Sequence, residues 1–194
     1  MSYPADDALD QLAAGVVRGD DQALGAWFEA ERTPVYRLCL GFLAHVQDAE
    51  DAAQEALLRL HDHLGDRDPS RPYAPWRNSV VLNLCRDRRR AEERRRHREA
   101  DHAAPAGGVL PDPTEVLEAA ECAAALAGAL RALPPREREV LVLVDLDRRP
   151  AAEVAECLGI GASTVRATLS LARARLEGAI GGALPRRYAR GGRR

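Results

Sequence analysis

The 194-residue sequence predicts an all-α protein of two small helical domains joined by a flexible linker, the second a helix-turn-helix. Three observations carry this. Hydrophobic residues make up 46% of the chain but aromatics only 4%, so its cores must be built from Leu, Val and Ala, which favour helices over a sandwich or barrel. Nearly every segment places its apolar residues at helical spacing. Residues 100–114 contain Pro105, Gly107, Gly108, Pro111 and Pro113, a linker composition found nowhere else at this length.

The elements follow in order. Asp6 to Val17 reads as a helix with Leu9, Leu12, Ala13 and Val16 on one face. Gly19-Asp20-Asp21 breaks it, and Asp20 or Asp21 caps a helix from Gln22 to Arg32. Pro34 starts a further helix that buries Val35, Leu38, Cys39, Phe42 and Leu43. Asp48 caps an acidic helix running to about Leu64, where Gly65 ends it. Residues 66–75 hold three Pro in ten positions and read as a loop. A helix from near Trp76 buries Val80, Val81, Leu84 and Cys85 and runs into an arginine stretch. Beyond the linker, helices are expected over Val116 to Leu133, Arg136 to Leu146, Pro150 to Leu158 and Ala162 to Ile180. The domain limits are 1–99, linker 100–114, 115–181, and a disordered basic tail over 182–194.

Charge is segregated although the net value is only −2. Residues 1–65 hold twelve acids and four Arg, whereas residues 86–98 hold eight Arg against three acids. Such asymmetry points to a nucleic-acid or macromolecular-machine partner. All 28 basic residues are Arg, which fits a high-GC genome. Cys39, Cys85, Cys122 and Cys157 stand alone, as free thiols of a reducing cytoplasm do. No run approaches 18 apolar residues and the N-terminus has no signal-peptide pattern, so a soluble cytoplasmic protein without membrane insertion is expected.

Three constellations carry function. Asp48, Asp51, Gln54 and Glu55 form an acidic and amide patch opposite the apolar face of their helix, suited to clasping a basic partner. Asn83, Arg86, Arg90 and Arg94 fall on one stripe of the next helix; Asn can read a base edge while Arg tracks phosphates. Tyr73 and Trp76 lie just ahead, where either could stack on an unpaired base, although Trp76 also has the spacing of the buried stripe. Residues 151–170 fit a helix-turn-helix, with small Ala155 at the crossing, Gly159 in the turn and Val165 packing back. Its second helix presents Ser163, Thr164, Arg166, Ser170 and Arg173 to a major groove. His61 and His63 point apart on a helix, and no nucleophile elbow or phosphate-cradling Gly loop is present. No enzyme activity, metal or other cofactor is expected.

In this order the motifs resemble a bacterial RNA polymerase sigma factor of the extracytoplasmic-function (ECF) group. Asp48-Ala-Glu-Asp-Ala-Ala-Gln-Glu55 resembles the region 2 helix that docks on core RNA polymerase. Trp76, Val80, Asn83, Leu84, Asp87 and Arg90 keep the spacing of the helix facing the −10 element. Leu133-Pro-Pro-Arg-Glu-Arg-Glu-Val-Leu141 with Ala152-Glu-Val-Ala155 and Leu158-Gly-Ile160 resembles region 4, which binds the −35 element. The resemblance implies binding of core polymerase and promoter DNA, capture of unpaired −10 bases by residues 66–75, and control by an anti-sigma factor. The rival readings are a stand-alone helix-turn-helix regulator, which leaves Asp51, Gln54 and Glu55 without a role, and a protein that sequesters a partner without binding DNA.

Overall fold

A computed structural model describes residues 4–99 and 127–183, which are helical with short connections. Helix α1 (Pro4–Val17) packs Ala13 and its apolar neighbours onto α2 (Asp21–Leu43). Asp20 caps α2 as expected, accepting from the backbone N–H of Gln22 at 2.9 Å and of Ala23 at 3.1 Å. Such a cap contributes about 1 kcal/mol.

Helix α2 departs from the expected pair of helices. It runs unbroken through Pro34, which removes one backbone hydrogen bond at a cost of about 3 kcal/mol. The offsetting term is its buried stripe of Trp27, Glu31, Val35, Leu38 and Phe42. Each large apolar side chain there contributes about 1.5–3 kcal/mol by leaving water, so packing outweighs the proline. The helix ends at Ala44, which is buried in the left-handed region at φ 54° and donates its N–H to the Leu40 carbonyl.

Helix α3 (Val46–Asp62) is capped by His45 rather than Asp48: the His45 Nδ1 accepts the Asp48 N–H at 3.4 Å. Asp48 therefore sits inside the first turn with its carboxylate exposed. Ala49, Ala52, Ala53 and Ala56 face inward, and their small size lets α3 lie close against α2. The helix ends at Asp62, and Gly65 falls within a single 3₁₀ turn (Leu64–Asp66) instead of acting as the stop.

Helix α4 (Tyr73–Glu99) begins three residues before the expected start, so the loop is confined to residues 67–72. Pro75 fits because the first turn of a helix has no N–H partners to lose. Tyr73 is fully buried, and its hydroxyl accepts a hydrogen bond from Trp27 Nε1 at 3.1 Å, tying α4 to α2.

The second half comprises α5, described over residues 127–132, α6 (Pro135–Leu141), α7 (Ala151–Leu158) and α8 (Ala162–Ala183). The expected helix to Leu146 is instead α6 followed by a π-helical turn (Val142–Leu146). Gly159 closes α7 at φ 64° and ψ 40°, where an L side chain is disfavoured, and turns the chain into α8. Val154, Ala155, Leu158, Val165 and Leu169 fill the angle between them, so the expected helix-turn-helix is present. Positions 100–126 and 184–194 lie outside the described residues, and with them the expected linker, Cys122, the expected helix start near Val116 and most of the expected basic tail.

The two halves pack against each other. A single apolar cluster joins Phe42, Leu82 and Leu84 of the first to Val140, Val142, Leu143, Val154 and Leu158 of the second. The π-helical turn lies on α2 and α7 lies on α4. Among the described residues no helix is long and apolar enough to cross a membrane.

Candidate polymerase and nucleic-acid interface

Helix α3 exposes Asp48, Asp51 and Gln54 together on the side facing away from the core. Glu55 differs. Its carboxylate accepts from Arg88 at 2.6 and 3.1 Å and from Arg59 at 2.6 Å. The Arg88 hydrogen bond, with help from Arg59, holds this carboxyl below the usual carboxylate range. Glu55 is thus fastened to α4, and the patch open to a partner is Asp48, Asp51 and Gln54. Arg88 also donates to the Asp51 carbonyl at 3.3 Å, and the Asp51 carboxylate has no hydrogen bond or ion pair among the described residues.

The five residues expected to face −10 DNA separate into two classes. Asn83 and Arg90 are exposed on α4, Arg90 with Asp87 at 3.7 Å. Trp76 is half-buried and packs on the core, its ring centroid 5.6 Å from that of Tyr73. Tyr73 is not a loop residue open to a base: burial pushes its hydroxyl pKa up, and the Trp27 hydrogen bond occupies it. Arg86 is taken as well. Its Nε and Nη2 donate to both carboxylate oxygens of Glu139 at 2.8 and 2.6 Å, a bidentate fork across the two halves.

On α8, Ser163, Thr164, Arg166 and Ser170 are exposed, and Ser163, Arg166 and Ser170 lie at helical spacing along one side. Arg173 is exposed too but forms a bidentate pair with Asp145 at 2.9 and 2.5 Å. That pair anchors α8 to the π-helical turn and leaves Arg166 as the guanidinium of this set with no ion pair within the described residues.

Sequence reasoning missed a buried polar cluster. Arg77, 2% exposed, donates to Glu31 at 3.4 Å, to the Asn78 side-chain oxygen at 3.0 and 3.1 Å, and to Asp147 at 2.8 Å. Asn78 donates to the other Asp147 oxygen at 2.7 Å, which also accepts from Arg149 at 2.8 Å. Burial pushes the Glu31 carboxyl up, against the pull of Arg77. The available signal was position: Arg77 lies one turn from Tyr73 and Val81 on the buried side of α4. Cys39 and Cys85 are buried free thiols, and Cys157 is a half-buried one. No group of His, Cys, Asp and Glu among the described residues could hold a metal ion.

Two family models match the chain, Sigma-70 region 2 over residues 27–95 and Sigma-70, region 4 over residues 123–176. The first contains α3 and most of α4, and the second contains the helix-turn-helix. The ECF RNA polymerase sigma factor SigM of Mycobacterium tuberculosis is 31% identical over 171 residues, which span 88% of this chain and 84% of SigM. The ECF RNA polymerase sigma factor SigW of Bacillus subtilis is 29% identical over 172 residues, spanning 84% and 91%. The fold is similar to that of CnrH, solved in complex with the cytosolic domain of CnrY. The TM-score is 0.65 at 24% identity, covering 91% of this chain and 99% of CnrH. A similar likeness, TM-score 0.62 at 17% identity over 81% and 96%, holds for the sigma factor RpoE of Bartonella quintana in complex with the anti-sigma factor NepR. With both regions present in order and a relative above 30% identity along most of its length, the chain belongs to the ECF group of bacterial sigma factors, which bind core RNA polymerase and direct promoter-specific transcription initiation.

Proposed function

We propose that the exposed Asp48, Asp51 and Gln54 of α3 dock this factor on core RNA polymerase, while Asn83 and Arg90 of α4 face the −10 element and Ser163, Thr164, Arg166 and Ser170 of α8 face the −35 element. The observation that carries this reading is the separation of exposed chemistry: carboxylates and an amide on α3, amide and guanidinium on α4, hydroxyls and a guanidinium on α8. Carboxylates repel DNA and suit a basic protein surface, whereas the other two sets suit phosphates and base edges. Trp76, at the start of α4, is the aromatic available to an unpaired base once the local packing loosens. The factor acts in the cytoplasm as an initiation factor without chemistry of its own. A protein of the anti-sigma class, such as the NepR bound to the Bartonella factor, is its expected inhibitor. A stand-alone helix-turn-helix regulator would have no use for the region 2 half.

The test is Asp51→Arg in the full chain. The carboxylate makes no hydrogen bond or ion pair among the described residues, so the fold is expected to survive, with helicity unchanged by circular dichroism. Like-charge juxtaposition at an interface costs several kcal/mol, enough for a loss of about 100-fold or more in core polymerase affinity. Run-off transcription is expected to fall with it. A normally folded Asp51→Arg protein that still forms a fully active holoenzyme refutes the docking role.

A further inference from the structure

Helix α4 starts where its own sequence offers no cap. Pro72 precedes Tyr73, and no acid lies in the first turn. The first N–H groups of a helix have no partner within it, and a carboxylate is the favoured one. Here it comes from α1, 63 residues back. Asp10 Oδ2 accepts the Tyr73 N–H at 3.4 Å. Asp10 Oδ1 pairs with Arg67 Nη1 at 3.1 Å. One carboxylate thus holds the loop over residues 67–72 at both ends.

Arg67 carries the contact onward. Its side chain is 7% exposed, donates to the Arg71 carbonyl, and lies over the Tyr73 ring with Cζ 5.7 Å from the centroid. The Tyr73 ring in turn meets Trp76, centroid to centroid 5.6 Å. Asp10, Arg67, Tyr73 and Trp76 therefore form one chain of contacts from α1 to the half-buried indole at the start of α4. Trp27 holds the hydroxyl end of Tyr73, and Asp10 holds its backbone.

From this arrangement we infer that Asp10 is a positioning residue for promoter opening: through Arg67 and the Tyr73 N–H it fixes the first turn of α4, from which Trp76 meets an unpaired base. The inference rests on the assignment of Trp76 and α4 to the −10 element. A flipped base gains from stacking only what is left after the platform has been ordered, so a turn fixed in advance raises the yield of each contact. The clamp lets Trp76 leave its packing on the core while the backbone beneath it keeps its shape. Asp10 lies ahead of the stretch that matches Sigma-70 region 2, residues 27–95, so α1 supplies this part from outside it. Its carboxylate is 30% exposed at the rim of the domain, and the core around Trp27, Val35 and Val81 does not depend on it.

The test compares paired and pre-opened promoters with the full chain. The template is a promoter mapped with wild-type holoenzyme on genomic fragments, used fully paired and also mismatched across −10. Opening is followed by the fluorescence of 2-aminopurine in the −10 non-template strand. Asp10→Ala is expected to bind core polymerase as wild type does. It is expected to open the paired template at least ~10-fold more slowly, the lower end of what one base-stacking contact is worth. On the mismatched template it is expected to match wild type. Asp10→Asn, which keeps an acceptor but loses the charge, is expected to fall between the two. Arg67→Ala is expected to add little to Asp10→Ala, because the two act through one contact. Opening of the paired template at the wild-type rate by Asp10→Ala overturns the inference alone. So does an equal defect on both templates, or loss of core polymerase binding by both Asp10 variants, since each makes the residue merely structural. If wild type itself neither binds core polymerase nor yields a mapped promoter, the functional reading has failed and the inference falls with it.

Discussion

Gly41 gives the sharpest test of whether the halves are packed in solution, because the sign of the effect differs between the two cases. The residue lies inside α2 and is buried beneath the π-helical turn. A Cβ at this position would stand 2.8 Å from Val142 Cγ2, 3.0 Å from Val142 Cγ1 and 3.3 Å from Leu146 Cδ2. Val142 is itself 1% exposed and β-branched, so its methyl groups have nowhere to rotate. Adding one methyl to such a contact costs about 1–3 kcal/mol. In an open molecule the same change only replaces Gly by Ala within a helix, which gains about 1 kcal/mol.

Gly41→Ala is thus expected to shift the balance from closed to open by about 1–3 kcal/mol, roughly 5- to 150-fold. Two measurements report it: the radius of gyration and the thermal midpoint. Expansion and no gain in the midpoint are expected. A higher midpoint with unchanged scattering would show that no side chain meets Gly41, and the packing of α2 against the π-helical turn would be refuted.

Two further outcomes follow from the interior. Tyr73→Phe leaves the buried Trp27 N–H without its acceptor and is expected to cost about 1–3 kcal/mol, lowering the melting midpoint while sparing transcription; an unchanged midpoint with impaired promoter opening would restore Tyr73 as a base platform. Burial pushes the Glu139 carboxyl up, but the hydrogen bonds from Arg86 and Arg136 outweigh it and hold the group below its ordinary value of 4.5. The stability this adds is present above about pH 4.5 and is lost as pH falls through the lowered value. Glu139→Gln is therefore expected to be less stable than wild type near neutral pH, with the gap narrowing as the pH falls below about 4.5 in a thermal unfolding series; a gap independent of pH would remove the ion pair from the account.

What was legible in the sequence depended on how local its cause was. Asp20 as a cap, Gly159 as a turn and Val165 as the return contact of the helix-turn-helix all act within a few residues of their partners. Pro34 misled because its helix-breaking preference is local, whereas the packing that overrides it joins α2 to α1, α3 and α4. Tyr73 was assigned to a loop by its three neighbouring prolines, and only the indole of Trp27, 46 residues away, shows that it belongs to the core. The arginines of α4 were indistinguishable in the sequence for the same reason. Arg86 finds Glu139 53 residues on, and Arg88 finds Glu55 33 residues back.

That sorting of one arginine-rich helix carries the functional argument further than its charge total does. Arg77, Arg86 and Arg88 point toward the protein and spend their donors on Asp147, Glu139 and Glu55. Arg90 and Arg94 are exposed, and Arg95 and Arg96 are held to Glu92 on the same helix. The inner set ties α4 to α3 and to the second half. If the halves part, Arg86 is released onto the same stripe as Asn83 and Arg90, since positions 83, 86 and 90 share a helix face. Opening therefore does more than free the helix-turn-helix. It adds a guanidinium to the stripe that Asn83 and Arg90 already expose, the surface we propose to face the −10 element.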